Sequence, residues 1–393
     1  MSIKKTRQKE ILKMKHSNLK WASIIFFISL IYASTSLSIQ AQEKVTASVD
    51  GSKLIDALKP GNWLQVKGSA LKSVAPTDGG NVMDPWSGGA FDTKRDQLII
   101  WGGGHGDYSG NEIYTFSLKT FTWTRVNNPS NPPAKDVAYA TDGGPCSRHT
   151  YNYIQYVPSI DRFVTLGGAG FYQSGQTGTN EVDAFDFETK KWSKLASMPQ
   201  KTFGIGAFSA VDSSTGYVWQ HGAGGKMLNI AHYVPSTNTW VSHNGIWDEG
   251  ENDFSYYLTA AVDTKRKLFV ACGRGDLWSW NTAEAGKLVG KKIETTGDIE
   301  IIKKASPGFE YHPKSDRFIA WSGGADVYTL NMDTKVWTKV QPATENTVIP
   351  TAAASNGTFG RFRYSPNKDV FVVVNKTTED VYIYRLPSAP SKP

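Results

Sequence analysis

One unit recurs along most of this chain, and a repeat of its length permits few architectures. It comprises a short turn, an apolar strand, a glycine pair, a strand bearing aromatics, another turn and a Trp-containing strand. The first copy covers Phe91 to Gly103 and Asn111 to Trp123, and the second covers Val157 to Gly168 and Asn180 to Trp192. Further copies begin at Val211, Val262, His312 and Ser365, so successive copies are 66, 54, 51, 50 and 53 residues apart. Alternating apolar positions bounded by turn residues specify strands, and four strands in roughly 50 residues make one propeller blade.

Blade number follows from how the ring closes. After Ser365 the chain supplies two strands, Val370 to Val374 and Val381 to Tyr384, and then lacks a Trp strand. Gly61-Asn-Trp-Leu-Gln-Val66 has the character of that missing outer strand. An N-terminal strand completing the last blade removes an open edge and gives six blades. A seventh would need another roughly 50 residues. The expected fold is all-β, a propeller of six blades with seven as the alternative, closed by the N-terminal strand.

Composition agrees. With 12% aromatic residues and 37 glycines among 393 residues, the chain suits a glycine-punctuated β protein. Two cysteines exclude a disulfide scaffold and a cysteine-rich metal site. The net charge is +7, but the first 20 residues carry +6 of it, so the rest is near neutral. A broad basic surface for nucleic acid is therefore excluded. After that basic stretch comes an uncharged run, Trp21 to Gln42, with an apolar centre from Ala22 to Ala33 and small residues ending at Ala41. This is the pattern of a secretory signal peptide. An uncleaved anchor is the alternative, because the run approaches the roughly 20 residues needed to span a bilayer. The expectation is a signal at 1–41, one propeller domain at 42–393, a periplasmic or secreted location and no membrane association after cleavage.

The repeat resembles the kelch repeat of galactose-oxidase-like propellers, over essentially the whole mature chain. The resemblance rests on Gly102-Gly103, Gly167-Gly168 and Gly323-Gly324, and on the late tryptophans Trp123, Trp192, Trp240 and Trp337. Blade four departs from it, with Cys272-Gly273 as its pair and no Trp between Lys287 and Ile293. In such propellers, the loop after each glycine pair and the start of each innermost strand open onto one face. Mapping repeat onto repeat then selects His105, Asp107, Tyr108, Tyr172, Lys226, Arg274 and Asp326 after the pairs. The strand starts contribute Arg148, His149, Tyr151, Phe203, Tyr256, Tyr257 and Arg361.

Histidine, tyrosine and arginine together suit β-elimination on a uronic-acid polysaccharide. That reaction needs a proton acceptor beside the carboxylate, a proton donor for the leaving oxygen and a cation on the carboxylate. The expected catalytic residues are His105, His149, Tyr151 and Tyr257, and the expected substrate-binding residues are Tyr108, Arg148, Tyr172, Lys226, Arg274 and Arg361. Asp107 is the acid that could hold a divalent cation, although no ligand spacing specifies one. The expected partner is an anionic poly- or oligosaccharide. This site is similar in kind to those of propeller-fold polysaccharide lyases. The alternative is a non-catalytic propeller binding a glycan or a protein on the same face. A copper-radical oxidase, implied by the same resemblance, requires a cysteine–tyrosine cross-link, for which Cys146 near Tyr151 is the nominal candidate. Elsewhere, His221 and His312 read as structural and His232 and His243 as surface residues. Glu112 and Glu181, at matching places in two blades, read as acceptors for loop amides. A Cys146–Cys272 disulfide would have to span two blades, which the geometry of the bond disfavours.

Overall fold

The computed structural model describes residues 50–75, 82–171, 179–199, 206–222, 230–243 and 257–387. The proposed signal at 1–41 lies outside the described residues. The described chain forms six sheets. Blade 1 is Ala90–Asp92, Gln97–Ile100, Tyr114–Ser117 and Trp123–Arg125, from the innermost strand outward. Blades 2 to 5 repeat the order, with innermost strands Ile154–Val157, Phe208–Val211, Thr259–Asp263 and Gly308–His312. Blade 6 has Phe362–Ser365 innermost, then Val370–Val373 and Val381–Tyr384, and Trp63–Val66 outermost. The expected closure is present, with Trp63 opposite Tyr384 and Val66 opposite Val381 in antiparallel register. Each innermost strand packs against the next, and blade 6 packs back onto blade 1. The fold is a six-bladed β-propeller.

Strand alternation explains how the ring holds together. Successive side chains on a strand point to opposite faces. Leu98 and Ile100 therefore enter the core between blades 6 and 1, while Ile99 and Trp101 enter the one between blades 1 and 2. Likewise Phe318 and Ala320 face blade 4, and Ile319 and Trp321 face blade 6. Every blade has a neighbour on both faces, so its strands are apolar on both. Blade 4 meets the same requirement differently. Trp278 and Trp280 on its third strand are buried, and Gly290 lies directly against the Trp280 indole in place of an outer tryptophan.

The turns add a second fastening. Asp161, Asp316 and Asp369 each accept a hydroxyl from the tyrosine five residues earlier, Tyr156, Tyr311 and Tyr364, at 2.8–2.9 Å. Each also takes a cationic or ring nitrogen from the preceding blade: Arg95, Arg266 and His312 respectively. The Arg95 and Arg266 guanidiniums hold Asp161 and Asp316 well below the usual carboxylate range.

Several polar residues lie differently from expectation. His232 and His243 are buried, because the alternation of their strands turns them inward against Trp219. Their rings are hydrogen-bonded to each other at 2.8 Å, and His243 Nδ1 donates to the Gly286 carbonyl at 2.7 Å. His221 and His312 are buried, as expected. Glu112 accepts the hydroxyls of Tyr108 and Tyr114, and Glu181 that of Tyr139, so both serve phenols rather than loop amides. Cys146 and Cys272 are both free and buried.

Burial pushes the imidazoles of His221 and His232 down to about 4. Both are neutral in the fold over a range where the unfolded chain binds protons with an ordinary pKa near 6.5. Stability from these groups is complete above pH 6.5 and is lost as pH falls towards 4. The thermal midpoint should therefore drop steadily between pH 6.5 and 4, and His232→Gln should flatten part of that slope. A midpoint constant across this window would contradict the assignment.

Candidate functional site

The site forms where the innermost strands begin, and its backbone is strained there. Trp86, Tyr151, Tyr257, Ser306 and Phe359 each have φ between 39° and 68°, and each lies two to four residues before an innermost strand. A left-handed conformation is unfavourable for a large L-residue and persists only when its surroundings enforce it. Here it turns the chain from the outer part of one blade into the axis of the next. Four of the five residues are aromatic, and their rings meet around the axis. Tyr151 is 5.6 Å from Tyr257 and 5.7 Å from Phe359, ring centre to ring centre. These three residues come from the entries to blades 2, 4 and 6, so together they form an aromatic floor.

A glycine loop from blade 1 is docked onto this floor. The Gly103 N–H donates to the Arg148 carbonyl at 2.9 Å. A Cβ at Gly102 would stand within 3.0 Å of Arg148 and Thr150 atoms, and one at Gly104 within 3.0 Å of Ser147 and Arg148 backbone. Only glycine allows the two chains to approach so closely. The contact sets His105 (φ 60°) over His149, their rings stacked at 5.1 Å and 26°. His149 is also flanked by Trp86 at 5.1 Å. Its Nε2 lies 2.7 Å from Asp107 Oδ2, and its Nδ1 lies 3.5 Å from the Tyr151 hydroxyl. One nitrogen of each of the two imidazoles and a carboxylate oxygen of Asp107 all fall within 4.8 Å of one another.

The electrostatics follow from depth. His149 is buried, and desolvation pushes its pKa down to about 4, an effect that Asp107 opposes and His105 reinforces. The ring is therefore neutral near pH 7. Burial raises the Tyr151 phenol far above its ordinary range, so it keeps its proton. His105 is half-buried and Asp107 exposed. Further round the mouth, the guanidinium of exposed Arg274 lies over the Tyr257 ring at 4.5 Å. Contacts thus run unbroken from Asp107 and His105 through His149, Tyr151 and Tyr257 to Arg274.

Three of the expected substrate-binding residues lie elsewhere. Arg148 is fully buried, and its guanidinium is taken up by Asp183 at 2.8 Å and by the Gly167 and Glu181 carbonyls. Arg361 is likewise fully buried, donating to the Val374, Met83, Ser87 and Gly357 carbonyls. Their backbones occupy the expected places. Their side chains turn into the blades, where loop carbonyls would otherwise lack donors. Tyr108 packs into the core between blades 6 and 1, with its hydroxyl on Glu112. Tyr172, Phe203, Lys226 and Tyr256 lie outside the described residues. Cys146 is buried with Ala134 and Phe171 and makes no described contact with a tyrosine, so the copper-radical arrangement has no support among the described residues. Trp86 and Phe359 were missed by sequence reasoning. The signal available was their position, equivalent to that of Tyr151 and Tyr257, just before an innermost strand.

A Kelch motif is matched over residues 167–199. The chain is a six-bladed propeller carrying a Kelch motif. It is 21% identical over 278 residues to the leucine-zipper-like transcriptional regulator 1 homolog of Drosophila melanogaster, covering 65% of this chain. It is 25% identical over 185 residues to acyl-CoA-binding domain-containing protein 4 of Arabidopsis thaliana, covering 46% of this chain. The matched region spans only 26% of the length of each relative.

The docking of the glycine loop is open to a direct comparison. Gly104→Ala forces a Cβ into the Ser147–Arg148 backbone and should cost about 1–3 kcal/mol. Gly106→Ala projects into open space, and its unfolding midpoint should stay within error of the parent's. Equal effects from the two substitutions would refute the close approach.

Proposed function

We propose that this chain is an exported enzyme that cleaves a uronic-acid-containing glycan by β-elimination. The observation that carries the reading is Arg274 above Tyr257. Among the described residues this guanidinium has no carboxylate partner, and it stands on the Tyr257 ring, from which ring contacts lead through Tyr151 to His149 and His105. An exposed arginine holds a carboxylate through two parallel hydrogen bonds, and aromatic faces suit sugar rings. The charge pattern of the N-terminal 42 residues and the near-neutral remainder support export and a saccharide partner over a nucleic acid.

The chemistry is a proton transfer on either side of one bond cleavage. The proton on C5, next to the carboxylate, is removed, and its electron pair becomes the C4=C5 double bond. The C4–O bond breaks, and the departing oxygen takes up a proton. Arg274 holds the carboxylate and stabilises the charge that develops on it. The His105 and His149 imidazoles and the Tyr151 and Tyr257 phenols are the groups that accept and return the proton. A non-catalytic glycan-binding propeller would use the same floor without any such transfer.

The conjugated product absorbs in the ultraviolet, whereas hydrolysis and simple binding leave no such signal. Incubation with a panel of uronic-acid polysaccharides should therefore give a rising absorbance. Arg274→Ala and Tyr257→Phe should each slow it by roughly 10²–10⁴-fold. A folded protein that binds uronates without any absorbance change would make the binding module the correct reading.

A further inference from the structure

We infer that His105, Asp107 and His149 form a binding site for a divalent transition-metal ion of the zinc class. Two imidazole nitrogens and one carboxylate oxygen within 4.8 Å of one another are the protein half of an open metal site. Such sites take three protein ligands and leave a further position to water or substrate. Ligands about 2.1 Å from a tetrahedral ion stand about 3.4 Å apart. The His149–Asp107 pair, hydrogen-bonded at 2.7 Å, opens by about 0.7 Å and exchanges that bond for the ion, while His105 moves in from within 4.8 Å.

The surroundings allow that movement and orient the rest. His105 and Asp107 flank Gly106, beside which a Cβ would meet nothing within 4 Å, so both side chains sit on a loop with room to adjust. His149 is the fixed member. It is wedged between Trp86 and His105, and its second nitrogen faces the Tyr151 hydroxyl at 3.5 Å, the outer contact that typically orients a ligating imidazole. Imidazole with carboxylate favours zinc, iron or nickel over magnesium or calcium, which prefer all-oxygen sets. The Asp107 side chain is 40% exposed, so the cluster is reachable from solvent.

This inference rests on the lyase reading and divides the labour within it. An acidic residue in the path of an anionic substrate is unfavourable by itself, and an ion on Asp107 reverses the sign of the local charge. With the imidazoles committed as ligands, the Tyr151 phenol, which keeps its proton, is left to donate to the departing oxygen, and Tyr257 is the group left to accept the C5 proton.

The test uses the full chain without a histidine tag, freed of metal by a chelator and titrated with Zn2+ calorimetrically and with Co2+ by visible absorption. One equivalent should bind, and bound Co2+ should show the intensified visible bands of four- or five-coordination. Asp107→Ala and His105→Ala, both on the adjustable loop, should each weaken binding by at least 10-fold while leaving the unfolding midpoint of the metal-free protein in place. Absence of stoichiometric uptake, or affinities unchanged in both variants, overturns the site. Elimination at full rate in protein shown to be metal-free overturns the ion's part in the reaction and leaves the lyase reading standing. Stoichiometric uptake with no elimination on any uronate upholds the site and overturns the lyase reading.

Discussion

The strand Trp63–Val66 zipped to Val381–Tyr384 is the contact on which the rest of this molecule depends. A propeller blade buries both faces only if it has a neighbour on each side, and an open ring leaves two blades with an uncovered face. Here the first and last described strands share one sheet, so the gap between blades 6 and 1 holds as continuous an apolar core as any other. The Trp63 indole secures the junction. It donates to the Ala325 carbonyl at 2.9 Å and packs against Tyr384 and Trp321. The N-terminal segment is thereby tied to blade 5 as well as to its own sheet. Arg385 reinforces this from the other end by donating to the Ile55 and Leu58 carbonyls.

Closure matters for the site because no single blade contains it. Trp86 precedes blade 1, His105 and Asp107 follow its second strand, His149 and Tyr151 lead into blade 2, Tyr257 into blade 4 and Phe359 into blade 6. Their meeting point is the axis, which exists only in a closed ring. The left-handed residues at these entries cost of order 1–3 kcal/mol each. Packing across the axis holds them in place: the Tyr151 ring is pinned by Tyr257 and Phe359, and the Asn152 side chain accepts the Ala260 N–H of blade 4 at 2.9 Å. A rigid ring thus carries strained corners, and the corners present the polar groups.

The repeat makes much of this legible in the sequence itself. Spacing identified six blades, and the lack of a final Trp strand pointed to Trp63 as its replacement. The glycines around His105 marked an accessible loop, although the tight docking of Gly104 onto Ser147 and Arg148 depends on a neighbouring blade. What stayed hidden was the direction of individual side chains. Mapping repeat onto repeat places a Cα on the rim, but Arg148 and Arg361 turn away from it to satisfy buried carbonyls and Asp183. His232 and His243 read as polar and peripheral, yet strand alternation faces them inward, where each satisfies the other. A polar residue near an outer strand reads as exposed unless its buried partner is also known. For His232 that partner is eleven residues away, and for Arg148 it is 35 residues away.

The inward turn of the arginines changes the electrostatic character of the mouth. A rim counted from sequence has four cations, but two of them are consumed in holding the blades and one lies outside the described residues. Arg274 remains, with Asp107 exposed on the same face. Charges of both signs among the described residues at the mouth partly cancel at distances beyond about 10 Å, where salt screens them in any case. Long-range steering of the proposed polyanion therefore has little to work with. On the proposed reading, the partly exposed Trp86 and Tyr257 rings are the aromatic faces left for a sugar, because Tyr151 and Phe359 are buried, and Arg274 is the hold on its carboxylate. Affinity for an acidic sugar, on the same reading, turns on what the Asp107–His149–His105 cluster carries.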